Sequence, residues 1–260
     1  PLISATGVIS YSISERMDGA LYDQVAAKLV AVREMKHDQL SSYFENLKTI
    51  TQSIAMNSHT ITAMRDFSNG FDLFAEPDEQ EQKSIGDYYK DAYLSHYRQL
   101  EPSIKPEIVM SYFSGLDKPA QFYQAHYISQ NANPLGSKQL LNQAAKKGKF
   151  AARYDMYHAT YHPDLRQVQQ EFGFYDLFLV NNDGRVVYSV FKESDFAMSL
   201  TNSQLKDSGI AKAWNAVRSA NAGTVFLTDF EAYMPSYGAP AAFMALPIFD
   251  GSNRIGSLIV

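Results

Sequence analysis

From Ala20 to Asn69 the chain contains neither glycine nor proline, and Gly19 and Gly70 bracket these fifty residues. Apolar side chains recur within them at Leu21, Val25, Leu29, Val32, Met35, Leu40, Tyr43, Leu47, Ile50 and Ile54. Most steps are three or four, the spacing of one helix face, and from Leu40 onward they alternate as in a heptad. At about 1.5 Å per residue an unbroken helix here is about 75 Å long. A kink or break is placed near Asn57. Helices of this length usually bridge a separation, as a coiled coil, a stalk or a spine.

Residues 78–172 continue mostly in helical spacing. Tyr88, Ala92, Tyr93, Tyr97 and Leu100 mark one helix, and Phe122, Tyr123, His126, Tyr127 and Gln130 another. Ile108–Phe113 reads either as a short strand or as helix. Asn133-Pro134-Leu135-Gly136 is a turn. Tyr154–Gln170 is helical in pattern, with Pro163 expected to break or kink it.

After Gly173 the pattern changes. Phe174–Val180 is a nearly continuous apolar run rich in aromatic and β-branched residues. Asn181-Asn182-Asp183-Gly184 is a hairpin signal, and Arg185–Phe191 reads as the returning strand. Ile210, Ala213, Trp214 and Val217 share a face of a short helix over 208–220, with Asp207 or Ser208 as N-cap and Gly223 beyond its end. Strands follow over 224–230, 241–248 and 254–260. A hairpin, a helix and three more antiparallel strands make a five-stranded sheet with a helix on one face. The fold class is α+β: a long N-terminal helix, a mostly helical middle, and a C-terminal sheet module. The divisions fall at 1–70, 71–172 and 173–260.

Composition narrows the function. The chain has 260 residues, 45% apolar and 20% charged, enough for a packed core. Its formal net charge is −5, with 23 basic and 28 acidic side chains. Both signs are spread along the whole length, so no basic field exists to hold nucleic acid. With no cysteine, disulfides, thiolate catalysis and Cys-ligated metals are excluded. No stretch reaches the roughly 18 apolar residues of a membrane span. The chain begins at Pro1 and stops within the apolar run at Ile259-Val260, which reads as a segment of a longer polypeptide.

Several stretches resemble a known family. Phe172-Gly173-Phe174-Tyr175-Asp176-Leu177-Phe178-Leu179-Val180 with Asn181–Tyr188, then Ser189–Phe196, and Thr228-Asp229-Phe230 with Glu231–Phe243, are similar to Cache domains, the extracytoplasmic PAS-like sensor modules. Asn133–Lys138 and His158–Pro163 resemble recurring motifs of the same group. Such domains form the periplasmic portions of bacterial sensor histidine kinases and chemoreceptors. The resemblance implies a long helix rising from the membrane, a membrane-distal module, and a proximal PAS-like module leading to a second span. It implies a small-molecule ligand, transmembrane helices flanking the segment, and no catalysis by the segment itself.

The candidate residues follow. The chain carries 17 Tyr, 16 Phe and one Trp, side chains suited to small-ligand pockets. In the C-terminal module the candidate ligand set is Tyr188, Phe191, Trp214, Asp229, Tyr233, Ser236, Tyr237 and Phe243. The loop Tyr233–Pro240 is placed as a lid over the space between helix and sheet. Asp229 with Tyr233 and Tyr237 suits a cationic or hydroxylated ligand; the competing reading is an aromatic core with Asp229 closing a turn. A second set is Tyr123, Tyr127, Asn131, Lys138 and Tyr154. His158 and His162, four apart on a helix, have the spacing of a metal-binding pair. A metal-dependent hydrolase built on them is one alternative function, and a structural module with a filled pocket is another. All six histidines precede residue 163, so the C-terminal module has no His to ligate haem or act as base, and no cofactor is expected. The apolar stripe of the long helix points to a homodimer.

Overall fold

In the computed structural model, which describes residues 2–142 and 148–260, with side chains described outside 2–19 and 148–152, helix α1 runs from Leu2 to Ala55. It ends where the sequence places a break. Asn57 is extended, and its side chain accepts a hydrogen bond from the His59 N–H at 2.8 Å, capping α2 (Ser58–Phe71). Between residues 20 and 44 the apolar stripe of α1 is exposed: Leu21 is 60% and Leu29 65% accessible. Further along, Thr51, Ile54 and Ala55 are buried. Residues 1–50 and residues 51–260 form two compact units. Boundaries at 70 and 172 mark changes of pattern along the chain, whereas in space the helices of 58–172 and the sheet belong to the same unit.

Several helices of this unit carry side-chain caps. Helix α3 (Glu79–Asp87) starts with a reciprocal box in which Asp78 accepts from the Glu81 N–H at 2.7 Å and Glu81 accepts from the Asp78 N–H at 2.9 Å. A π-helical turn (Tyr88–Tyr93) leads into α4 (Leu94–Leu100). The ambiguous segment around 108–113 is helical, in α5 (Pro106–Ser114), with proline in the first turn where its missing N–H is harmless. Asp117 caps α6 (Lys118–Gln124), and a second π-helical turn follows (Ala125–Ser129).

Helix α7 (Gly148–Phe172) corrects the expected break at Pro163, because the helix continues through it. Its buried residues Tyr154, His158, Tyr161, His162, Leu165 and Gln169 lie on one face and anchor both sides of the proline. That face packs against α2, whose Phe67 ring lies 5.3 Å from Tyr154 and 5.8 Å from Tyr161.

The sheet contains β1 (Phe178–Val180), β2 (Val186–Ser189), β3 (Phe226–Leu227), β6 (Met244–Asp250) and β7 (Asn253–Ile259), all antiparallel, in the order β2-β1-β7-β6-β3. This is the five-stranded PAS-like sheet the sequence pattern calls for. Helix α8 (Gly209–Val217) packs against β3, β6 and β7. Residues 224–230, read as a full strand, pair only at Phe226 and Leu227. The stretch expected as a lid forms a small hairpin instead: β4 (Glu231–Tyr233) and β5 (Ala239–Ala241), joined by a 3₁₀ turn (Met234–Ser236).

Register assigns the two faces of the main sheet. Tyr188 is opposite Leu179, which is opposite Leu258, which is opposite Leu246, so these four share a face. Phe178, Ser189, Ile259 and Ala245 share the other. On the Tyr188 face α2 approaches so closely that a Cβ on Gly256 would stand 2.6 Å from Met64 Sδ. No helix among the described residues is long and apolar enough to cross a membrane.

Candidate functional site

The site grows from the loop after β2. Lys192-Glu193-Ser194-Asp195 places three charges in four positions, yet Lys192, Ser194 and Asp195 are fully buried and Glu193 is half-buried. Lys192 and Ala197 adopt left-handed backbone conformations, with φ of 59° and 68°, so the segment turns sharply at both ends. Conformations of this kind in non-glycine residues persist where surrounding structure enforces them. Here the helices do so: Gln124 Nε2 donates to the carbonyls of Ser194 at 2.9 Å and Phe196 at 2.8 Å, and Tyr89 OH donates to Gln124 Oε1 at 2.9 Å.

Beside this loop lies a cavity of about 180 Å³ on the Phe178 face of the sheet. Phe178, Phe230, Phe243 and Val260 form apolar walls, and Ala239–Ala242 of the small hairpin closes one side. The polar wall is Tyr175, Asp176, Tyr233 and Ser236. Asp176 is buried just before β1. Its Oδ1 accepts three backbone N–H groups: Leu177 at 2.6 Å, Val190 at 2.9 Å and Phe191 at 3.2 Å. Its Oδ2 is buried without a hydrogen-bond partner. Tyr233 OH donates to Asp195 Oδ2 at 2.8 Å, leaving Asp195 Oδ1 unpartnered. Tyr175 OH and Ser236 Oγ both donate to Glu193, at 3.0 and 3.1 Å.

Burial dominates the electrostatics. It raises the Asp176 carboxyl well above the ordinary range, and the nearby Asp195 charge raises it further. Glu193 is pushed up to about 8 by burial and then by Asp195. Asp195 is pushed up to about 6 by burial, with the Tyr233 hydrogen bond opposing. Lys192 is lowered by burial, against the pull of Asp176 and Asp195. Its ammonium donates to the Ser189 carbonyl and sits 4.2 Å from the Tyr188 ring centroid and 4.9 Å from that of Phe196.

Of the eight residues named from sequence in this module, Tyr233, Ser236 and Phe243 line the cavity. Tyr188 belongs to the opposite face of the sheet, stacked on Phe67 at 4.7 Å with its hydroxyl 2.7 Å from His162 Nδ1. Phe191 stacks on Tyr175 at 5.7 Å. Trp214 is buried against the hairpin turn, where its ring is 3.0 Å from the position a Cβ on Gly184 would take; the φ of 81° there also demands glycine. Asp229 is exposed and accepts the Phe230 N–H at 2.8 Å, a local turn closure. Tyr237 lies among Tyr93, His96 and Tyr97.

The second set is distributed through the helical layer. Tyr123, Tyr127 and Tyr154 are buried core aromatics whose hydroxyls donate to the Gly70 and Phe71 carbonyls, to Asp155, and to the Val187 carbonyl. Asn131 and Lys138 close a turn by hydrogen bonds to each other's carbonyls, 3.0 and 2.8 Å. Lys138 also borders an open groove with Lys83, Ser84, Asp87 and Asp91.

His158 and His162 are buried and stacked at 4.3 Å. His162 donates from Nε2 to the Gln139 carbonyl at 2.7 Å and accepts the Tyr188 hydroxyl at Nδ1, so both its nitrogens are engaged. His158 Nδ1 donates to the Asn142 carbonyl at 2.7 Å. Burial and the Lys192 charge lower both, His162 to about 3, so both are neutral. A metal held by this pair must displace the Tyr188 or Gln139 partner of His162. Among the described residues no group of three or more His, Asp or Glu is placed to hold a metal ion.

Asp176, Lys192, Glu193 and Asp195 are the site residues that sequence reasoning passed over. The signal was three charges directly after an apolar strand, where a solvated turn is the ordinary assumption.

No family model matches the chain. No characterised protein matches it in sequence. Among solved structures it is similar to the sensor domain of the V. cholerae histidine kinase DctB, at 14% identity and a TM-score of 0.32. That alignment covers 65% of this chain, which spans 56% of the other.

Proposed function

We propose that the chain is the extracytoplasmic ligand-sensing domain of a bacterial transmembrane receptor, a histidine kinase or chemoreceptor, and that the cavity beside Asp176 takes its small-molecule ligand. The observation that carries this reading is the cavity itself: apolar walls, a few convergent polar groups, and a buried carboxylate oxygen without a partner. Val260, next to the end of central strand β7, is one of its walls, so occupancy bears directly on that strand. Residues 71–172 form the membrane-distal part and 173–260 the proximal part. The exposed stripe of α1 between 20 and 44 pairs with a second copy of the chain, and transmembrane helices flank the segment. The domain reports occupancy and performs no turnover.

The test is a thermal-shift screen of amines, carboxylates, alcohols and sugars, repeated on Ala241→Phe, which fills the cavity. A saturable stabiliser gives about 2.7 kcal/mol at a hundredfold excess over Kd. At least one compound is expected to stabilise the wild type and not the variant. No response across the panel, or an undiminished response in the variant, contradicts the reading.

A further inference from the structure

The hydroxyl groups around the cavity have their protons committed elsewhere. Tyr175 and Ser236 donate to Glu193, and Tyr233 donates to Asp195. A hydroxyl that donates once keeps only lone pairs for anything else that approaches it. Asp176 adds a carboxylate with one oxygen saturated by three backbone N–H groups and the other unpartnered. With these carboxyls ionised the cavity wall offers acceptors and, from its side chains, no free donor; burial holds Asp176 and Glu193 toward the protonated form, and an entering cation draws them back to the charged one. An anion or a carbonyl oxygen meets only like polarity there, whereas an ammonium group, with three donors and no acceptor, matches it.

Resting on the sensory reading above, we infer that the cavity selects a small organic cation, a primary or secondary ammonium on a compact apolar body, with Asp176 as its counter-ion and the Tyr233, Tyr175 and Ser236 oxygens as additional acceptors. The body packs against Phe178 and Phe243, whose adjoining rings have centroids 6.4 Å apart. A volume of about 180 Å³ suits a six-membered ring, since a cavity of about 150 Å³ holds benzene. The Lys192 ammonium does not compete for the place, being turned to the Ser189 carbonyl and the Tyr188 ring on the helical side.

The experiment is calorimetric titration of the wild-type chain with cyclohexylamine, cyclohexanol and cyclohexanecarboxylate, three probes of equal body and different head. Cyclohexylamine is expected to bind at least tenfold tighter than either of the others. Asp176→Asn retains an acceptor for the three backbone N–H groups and removes the charge. It is expected to weaken the amine at least tenfold and leave the alcohol within twofold. Should that variant fail to fold, the wild-type ranking of the three probes decides alone. If the alcohol or the carboxylate binds as tightly as the amine, the inference of a cation is overturned and the sensory reading stands. If none of the three binds at 10 mM, the inference is overturned, and the broader panel decides the sensory reading separately.

Discussion

Replacing Asp195 by Asn is expected to stabilise the protein at neutral pH. Asp195 is fully buried, with one oxygen taking the Tyr233 hydroxyl and the other unpartnered. Its carboxyl is pushed from 3.8 up to about 6. A carboxyl raised on folding penalises the folded state as pH climbs from the unfolded value to the folded one, and the penalty is constant above that. For this displacement the full penalty is about 3 kcal/mol, reached near pH 7. Asparagine never ionises and keeps an acceptor for Tyr233. Its amide nitrogen takes the unpartnered place at a cost of about 1–2 kcal/mol. The net gain at pH 7 is then about 1–2 kcal/mol, or roughly 2–8 °C in Tm. At pH 4 the folded Asp195 is protonated and the unfolded one about 60% ionised, so the penalty falls to about 0.5 kcal/mol and the gain gives way to a small loss. Urea unfolding of both proteins at pH 4, 5, 6 and 7 measures this directly. A gain that is the same at pH 4 and pH 7, or a loss at pH 7, refutes the assignment of Asp195 as a buried, under-partnered acid.

Other outcomes follow from the same packing. His162 is held neutral down to about 3, so stability present above the unfolded value of 6.5 is lost as pH falls, at about 1.4 kcal/mol per pH unit. His162→Asn removes that dependence, and unfolding profiles of wild type and variant between pH 6.5 and 5 should diverge by about 2 kcal/mol; parallel profiles contradict it. Gly256→Ala places a Cβ 2.6 Å from Met64 Sδ and 2.7 Å from the Val180 carbonyl. It should cost about 1–3 kcal/mol in denaturant unfolding. Adding Met64→Ala should not restore the loss, because the Val180 backbone cannot retreat. Asp229→Ala, at an exposed turn, should change stability by under about 0.5 kcal/mol and leave the calorimetric Kd for cyclohexylamine unaltered. A tenfold loss there would move the binding site out of the cavity.

Much of the architecture is readable from local pattern. A breaker-free run with apolar residues three and four apart reads as helix, and Asn57 announces its capping role where that run is interrupted. The strands after Gly173 are marked by aromatic and β-branched runs separated by Asp-Gly and Asp-Gly-Ser-Asn turns. Pro163 does not end the helix because the penalty for its missing hydrogen bond is smaller than the burial of Tyr154, His158, His162 and Leu165 on either side of it. The β4–β5 hairpin resembles a loop in sequence because Pro235, Gly238 and Pro240 punctuate it. The candidate site was only partly legible. Alternation places Tyr188 and Phe178 on opposite faces once the register is known, but nothing local says which face carries the cavity. Tyr233, Ser236 and Phe243 are visible as part of an aromatic cluster near a turn. Asp176 is not: its role depends on the backbone of residues 190 and 191 folding back onto its carboxylate, a contact made across the hairpin. The burial of Lys192, Glu193 and Asp195 likewise depends on Gln124 and Tyr89, which reach this loop from helices over sixty residues away in sequence.

A crystal structure of the protein with cyclohexylamine tests the central claim most directly. The account predicts the amine nitrogen within hydrogen-bond distance of the Asp176 carboxylate, with its ring against Phe178 and Phe243. An amine bound elsewhere, or a cavity empty at saturating amine, contradicts it.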